Sequence, residues 1–410
     1  MPSLPDPTII ILDLPPKTFV GINLTSFNSS PNFHGITRLP EGLHFVYTGT
    51  DASLSIRHGR WLNIEQPRPS SQSYVLRWNT DLEHLDLLPS DGATARDVLR
   101  SVPELQRRGL VDYSTLRSAN ANLQADQSKT TVDPWPRLTS HVSPRLLSRV
   151  LKPAASTDTA SQSWSLTSTS SAPGDTEHIP GLSASEAASV LSPSANLDLL
   201  PVDLKQTWPD DAIGRDRTEK ARDRSWYLGH LISTLSAAGN GTEEVSQRLA
   251  AGEVLGELQF TFLMVLTLAN YSCLEQWKRL LSVLFTCRTA LVEAEAYFVQ
   301  VVKVLREQLG RVEDVEGGLF EMGDEMGSRW LRQLLRTFRG NVVEMGAQEV
   351  KKALEELDVW LGEEYGWEDE KNLLRKGMVQ LEDGEMVEVQ VDGWDEEEEM
   401  GEYAPVIVET

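Results

Sequence analysis

The first eighty residues carry short apolar runs separated by turn-forming residues. Residues 8–14 form a β-branched run closed by Pro15 and Pro16. Residues 19–24 follow, then an Asn-, Ser- and Pro-rich turn, TSFNSSPNFHG, and then 43–47 (LHFVY), entered through Pro40 and Gly42. Residues 60–64 and 73–78 complete the set. Short strands spaced about ten residues apart, with turn chemistry between them, predict an all-β sandwich or barrel. Gly21, Gly35 and Gly42 are expected at turns or close backbone approaches.

The period changes at residue 92. DVLRSVPELQRRGLVDYSTLR places apolar residues at three- and four-residue steps, which predicts helix. Thr139 or Ser143 is expected to cap a short helix over LTSHVSPRLLSRVL. Residues 153–197 then lose all period. Ser, Thr, Ala and Pro dominate, a composition that buries too little apolar surface to offset chain entropy. From 215 onward the helical spacing returns. Residues 218–235 read as one helix stopped by Gly-Asn-Gly at 239–241, and 253–269 (EVLGELQFTFLMVLTLA) is apolar on nearly every face. A helix buried all round at the centre of a bundle is the expectation. Residues 274–285, 290–309, 330–338 and 350–361 supply its partners. In the tail, MVEVQVD (386–392) alternates like a half-buried strand, and APVIVE at 404–409 is a second β-branched run.

The resulting fold class is α+β in two domains. Residues 1–105 form a β-rich domain, 106–150 a helical connection, 151–200 a Ser/Thr-rich disordered linker, 201–376 a helical domain, and 377–410 an acidic tail with a terminal strand.

Charge sharpens this division. The chain of 410 residues has a net charge of -23. Residues 1–150 carry 14 acids against 15 bases, whereas 377–410 carry 12 acids and no base. An acidic surface repels phosphate backbones, so no direct nucleic-acid binding is expected. Two cysteines exclude a disulfide scaffold and suit a reducing compartment. No 18-residue run is uninterrupted by polar residues, so no membrane span is expected, and the first residues lack the basic and small-residue features of a signal peptide.

No motif for catalysis emerges. G-x-x-x-x-G-K-[ST], G-x-G-x-x-G after a strand, G-x-S-x-G and H-E-x-x-H are all missing from the sequence. The seven histidines are scattered and none pairs at i, i+4, so no metal site is expected. Cys273 and Cys287 sit in apolar helical sequence and read as small buried hydrophobes. The expectation is a protein that is not an enzyme, with no cofactor and no small-molecule substrate.

Two features suit binding. The segment Tyr403, Ala404, Pro405, Val406, Ile407, Val408 and Glu409 is too short to be stable alone. It must pair with a sheet edge, of its own β domain or of a partner. The Glu396–Glu399 block beside it favours a basic partner. In WKRLL (277–281), Trp277 and the leucines are expected in the core, with Lys278 and Arg279 on the outward face. That pair is either a solvated face or a basic patch that meets an acidic partner surface.

These residues resemble a known family. FVGIN, SPNFHGI and LPEGLHFVY within 18–47 resemble the amino-terminal motif of the AAR-two splicing-factor family. YVLRWN at 74–79 is similar to its later strand. EVLGELQFTFLMVL followed by EQWKRLLSVL (253–284) is similar to its G-E-L-Q-F…W-K-R-L-L signature, and APVIVE to its closing strand. The family usually has Asp where this chain has Asn23, and Trp where it has Phe27. The resemblance implies a β-rich amino-terminal domain and a carboxy-terminal helical domain like that of VHS modules. It further implies a non-enzymatic, chaperone-like assembly factor of the U5 small nuclear ribonucleoprotein in pre-mRNA splicing, cytoplasmic and nuclear. Such a factor binds the core protein Prp-eight at its RNase H-like and Jab/MPN-like domains and holds off the Brr-two helicase, with the closing strand bridging the partner domains. An alternative from fold analogy is a VHS-like adaptor or scaffold in membrane traffic.

Overall fold

The structure is a computed structural model that describes residues 6–51, 56–65, 73–89, 92–123, 133–151, 163–172, 196–237, 242–315, 319, 328–367, 375–380 and 386–391. Its strands are β1 (Thr8–Leu12), β2 (Phe19–Ile22), β3 (Thr25–Asn28), β4 (Gly35–Thr37), β5 (Gly42–Gly49), β6 (His58–Ile64), β7 (Ser73–Asn79), β8 (His84–Leu87), β9 (Leu110–Asp112), β10 (Ser163–Thr167), β11 (Arg375–Gln380) and β12 (Met386–Val391). Its helices are α1 (Ala93–Arg108), α2 (Tyr113–Leu123), α3 (Trp135–Leu138), α4 (Pro144–Leu151), α5 (Gly214–Arg222), α6 (Ser225–Ser236), α7 (Glu243–Leu268), α8 (Tyr271–Thr286), α9 (Thr289–Glu293), α10 (Glu295–Leu309), α11 (Ser328–Met345) and α12 (Gln348–Tyr365).

Contacts divide the chain into two compact units. The first comprises Met1–Pro201, Leu231–Leu280 and Glu307–Ser328, and the second Val202–His230, Leu281–Arg306 and Arg329–Thr410. This division cuts across the helical domain expected over 201–376.

The first unit holds two five-stranded sheets, ordered β8-β7-β1-β4-β9 and β10-β6-β5-β2-β3. The first sheet is mixed: β1 runs parallel to β7 and antiparallel to β4, and β4 runs parallel to β9. Alternation along β1 explains its unbroken TIIIL sequence. Ile9 and Ile11 join Val20, Val46, Leu62 and Leu76 in one core cluster, whereas Ile10 meets Val75 and Ala95 of α1. A strand covered on both faces reads as a continuous apolar run. Strand β6 is covered in the same way. Leu62 and Ile64 face the core between the sheets, while Trp61 stacks on Trp135 of α3 and tilts against Phe260 of α7.

Gly21 and Gly35 are among the glycines required by close approach. A Cβ on Gly21 would fall 1.9 Å from the ring of Tyr47 on the paired strand. Gly35 adopts φ +140°, and a Cβ there would lie 2.0 Å from the Ile9 carbonyl oxygen. Both positions exclude any side chain.

The expected α+β architecture is present, although the turn read over 25–35 opens with β3, which pairs antiparallel with β2, and four further local differences follow. First, the disordered linker expected over 151–200 contains β10, which pairs antiparallel with β6 in the register Trp164↔Trp61. Its SWSLT sequence alternates, burying Trp164 and Leu166 while Ser165 is exposed. Second, the helix expected through 92–117 stops at Gly109. There a Cβ would fall 2.2 Å from the Asn32 carbonyl, and β9 follows beside β4. Third, the helix read over 218–235 is two helices broken at Asp223, and Gly-Asn-Gly at 239–241 lies outside the described residues. Fourth, 290–309 divides into α9 and α10 at Ala294. Ser143 does cap α4, accepting a hydrogen bond from the Leu146 amide.

Helix α7 is longer than the apolar block that predicts it. Its most apolar window is long and hydrophobic enough to cross a membrane, yet 83% of that window is buried within the fold. In the second unit, Phe285, Phe298 and Phe338 form a stacked aromatic centre between α8, α10 and α11. The alternating segment at 386–391 is strand β12, paired antiparallel with β11.

Candidate protein interface

The block GELQF at 256–260 projects its side chains into packing. Gly256 lies against α4 and the segment before it: a Cβ would sit 2.3 Å from the His141 carbonyl oxygen and 3.1 Å from Leu146 Cδ2. The Glu257 carboxylate, fully buried, accepts hydrogen bonds from Arg149 Nη2 at 2.5 Å, from the Leu200 amide at 2.9 Å and from Gln276 Nε2 at 2.8 Å. Glu253, one turn earlier, pairs with Arg149 Nε at 2.7 Å and Arg145 Nε at 3.2 Å. Burial works to lower the Arg149 pKa, but Glu257 and Glu253 outweigh it and hold the guanidinium above its ordinary value. Gln259 accepts from the His141 amide and donates to the Arg137 carbonyl and to Ser140 Oγ. Buried polar groups on different sides of the helix are thus paired with the segments packed around it.

WKRLL behaves in the same way. Trp277 is buried and its Nε1 donates to Gln308 Oε1 at 3.0 Å, while Gln308 Nε2 donates to the Leu258 carbonyl. Leu280 and Leu281 are in the core, as expected. Lys278 and Arg279 are half-buried and do not project as an open outward face. The Lys278 ammonium pairs with Glu275 at 3.2 Å. A half-buried, ion-paired lysine is a poorer docking group than a fully solvated one, because a partner must first displace its acid. Tyr403, Ala404, Pro405, Val406, Ile407, Val408 and Glu409 lie outside the described residues.

A second polar node sits in the β-rich part. Asn23, at φ +54°, donates to the Tyr113 hydroxyl and to His44 Nδ1, and its Oδ1 accepts from the Phe45 amide. The Tyr113 hydroxyl in turn donates to Asp133. Burial lowers the His44 pKa and raises that of Tyr113.

A shallow cavity of about 380 Å³ in the second unit is lined by Asp216, Glu219, Lys220, Asp223, Trp226 and Glu293, among others. Most of its charges are already engaged. Asp216 pairs with Lys220 and Glu219 with Arg215, while Asp223 accepts from Ser225, Arg288 and Thr289. Among the described residues, no group of three His, Cys, Asp or Glu side chains is placed to hold a metal. Cys273 and Cys287 are buried thiols, and burial pushes the Cys287 pKa up, away from a reactive thiolate.

Several of these partners were not identifiable from the sequence. Arg149, Gln276 and Gln308 come from distant segments and carry no local pattern. The signal that does exist is two glutamates in an otherwise apolar helix, which demands buried cations.

The geometry defines a two-part α+β protein whose most distinctive helical block serves internal packing. Sequence profiles described as AAR2 N-terminal domain and AAR2 C-terminal repeat region match residues 5–152 and 199–370. The chain is 27% identical to Protein AAR2 homolog of Mus musculus over 317 residues, covering 74% of this chain and 76% of that protein. It is 25% identical to Protein AAR2 homolog of Homo sapiens over 323 residues, with coverage of 74% and 76%. The chain belongs to the AAR2 family, and with that membership it is a splicing-related protein.

Proposed function

We propose that this chain is a non-enzymatic assembly factor of the U5 small nuclear ribonucleoprotein, working in cytoplasm and nucleus. It binds the Prp-eight core protein and denies the Brr-two helicase its place until maturation is complete. The observation that carries the reading is the match of both family profiles, in order, across the two halves of one chain. The use of the signature residues in packing is consistent with it. Grip then falls to segments outside the packed block, foremost the terminal strand Tyr403 to Glu409, which would add to a partner sheet edge through main-chain hydrogen bonds. Lys278 and Arg279 are a secondary contact, available to an acidic partner surface once Lys278 leaves Glu275. Two modest contacts joined on one chain give high overall affinity without one very strong site.

The test is a pull-down of Prp-eight from nuclear and cytoplasmic extract, with the full chain and with a chain ending at residue 391. Recovery with the full chain and loss on truncation supports a strand-mediated grip. Failure of the full chain to recover Prp-eight would sink the proposal. A competition assay completes it: added chain should lower Brr-two binding to Prp-eight.

A further inference from the structure

Three half-buried tryptophans of the second unit each carry an arginine of the same chain. Arg217 lies over the Trp208 ring at 4.4 Å, Arg332 over Trp367 at 4.7 Å and Arg306 over Trp360 at 5.9 Å, measured to the ring centroid. Trp226 differs. It is 36% exposed, and it stacks on His230 one turn further along α6, with centroids 5.3 Å apart and an interplanar angle of 9°. No arginine among the described residues lies over its ring.

The Trp226 indole forms part of the wall of the cavity of about 380 Å³. The charged groups around it are Asp216, Glu219, Asp223 and Glu293 against Lys220. Three of the acids are engaged. Asp216 pairs with Lys220, Glu219 pairs with Arg215, and Asp223 is filled by its amide and hydroxyl donors. Glu293 is exposed and has neither an ion pair nor a hydrogen bond among the described residues. The cavity therefore joins an uncovered indole, an unengaged carboxylate and a surplus of negative charge.

We propose that this cavity receives an arginine side chain presented by a protein partner, stacked on Trp226 and paired with Glu293. The charge of the lining selects a cation, and an indole face attracts one. A planar guanidinium can stack and also donate two parallel hydrogen bonds to a carboxylate, which an ammonium cannot do. The fold uses the same stacking for its own arginines on Trp208 and Trp367. Residues 377–410 contain no base, so the acidic tail does not supply the cation. The site lies wholly within the second unit, and it is independent of the strand-mediated grip proposed for the terminal segment.

The experiment uses the full chain labelled with 5-fluorotryptophan, whose eleven tryptophans are read by fluorine NMR. Trp226→Phe identifies the Trp226 resonance as the one that disappears. The probe is the peptide acetyl-Gly-Arg-Gly-Arg-Gly-amide at low salt. The Trp226 resonance should shift saturably at millimolar peptide, the affinity of a small exposed contact. The citrulline counterpart, which has the same shape without the charge, should leave it unmoved, and the lysine counterpart should bind more weakly. Glu293→Gln should weaken the arginine peptide by about two- to five-fold, the worth of one exposed ion pair. Unchanged positions of the remaining resonances in that variant show that its fold is intact. A Trp226 resonance that ignores the arginine peptide, moves equally with citrulline or lysine, or responds identically in Glu293→Gln overturns the proposal.

Discussion

The side-chain amide of Asn23 lies 3.0 Å from Nδ1 of His44, and it is the donor in that pair. His44 Nε2 is 2.8 Å from the Pro40 carbonyl, which only accepts, so Nε2 carries the proton. Nδ1 is then an acceptor, and the imidazole is neutral. Burial lowers its pKa in keeping with that state, although the Pro40 carbonyl works the other way. A histidine held neutral in the fold contributes stability that is present above the unfolded value of about 6.5 and lost as pH falls below it.

Replacing Asn23 with Asp, the residue the family resemblance puts here, removes the donor. The carboxylate and Nδ1 are then both acceptors unless His44 takes a proton, which forms a buried ion pair and raises its pKa. The sign of the pH dependence therefore reverses. In Asn23→Asp the contribution is full below about 6.5 and disappears as pH rises through the raised folded value. The variant should lose about 1–3 kcal/mol at pH 8 and less at pH 6, by urea unfolding. An equal loss at both pH values would show that His44 does not couple to residue 23.

Arg149 is the cation that holds Glu253 and Glu257 in the core. Arg149→Met keeps much of the apolar stem and leaves Glu257 buried beside Leu200 and Gln276 without a charge partner. Removing one partner of a buried pair costs about 3–5 kcal/mol. Adding Glu257→Gln to that background should recover a large part of the loss, since an amide is far cheaper to bury than a carboxylate. If the double variant is no more stable than Arg149→Met in chemical denaturation, the pair does not organise this helix.

Strands β1, β2, β5, β6 and β7 and the central helix were legible because their cores follow simple periods. The Ile9–Ile11 run, LHFVY and YVLRW all mark strands, and the apolar block of α7 marks a helix buried all round. Breaks were not legible where one residue decides. Gly109 caps α1 at a point where the Asn32 carbonyl leaves no space for a side chain, and the chain turns at once into β9 beside β4, facts of tertiary approach. Asp223 ends α5 because its carboxylate binds amides some sixty-five residues away. Of the interface, the ion pair of Lys278 with Glu275 at i−3 is visible in the sequence, yet the pairing gives no sign of how deeply the lysine is buried.

Strand β10 sits among residues whose composition argues disorder, and Trp164 decides the matter. The indole is fully buried against β6, with Nε1 donating to Ser148 Oγ at 3.0 Å. Trp164→Ala should cost about 3–5 kcal/mol, the range for truncating a large buried aromatic. A linker residue would cost nothing measurable. Thermal and urea unfolding of the variant separate these outcomes directly.

Asp223 starts two helices at once. Its carboxylate accepts from the Ser225 amide and hydroxyl at the head of α6, and from the Arg288 amide, the Thr289 amide and the Thr289 hydroxyl at the head of α9. Burial alone works to raise its pKa, but the bonds from Ser225, Thr289 and Arg288 prevail and hold it below the ordinary carboxylate value. A carboxyl depressed in this way adds stability that is present above its unfolded value and disappears as pH falls through the folded one. Each lost cap costs about 0.5–2 kcal/mol, so Asp223→Ala should lose about 1–4 kcal/mol at pH 7. The gap between parent and variant should narrow in acid as the parent carboxyl protonates. A gap that stays constant from pH 7 down to pH 3 would mean that the charge of Asp223 contributes nothing and that only its shape matters.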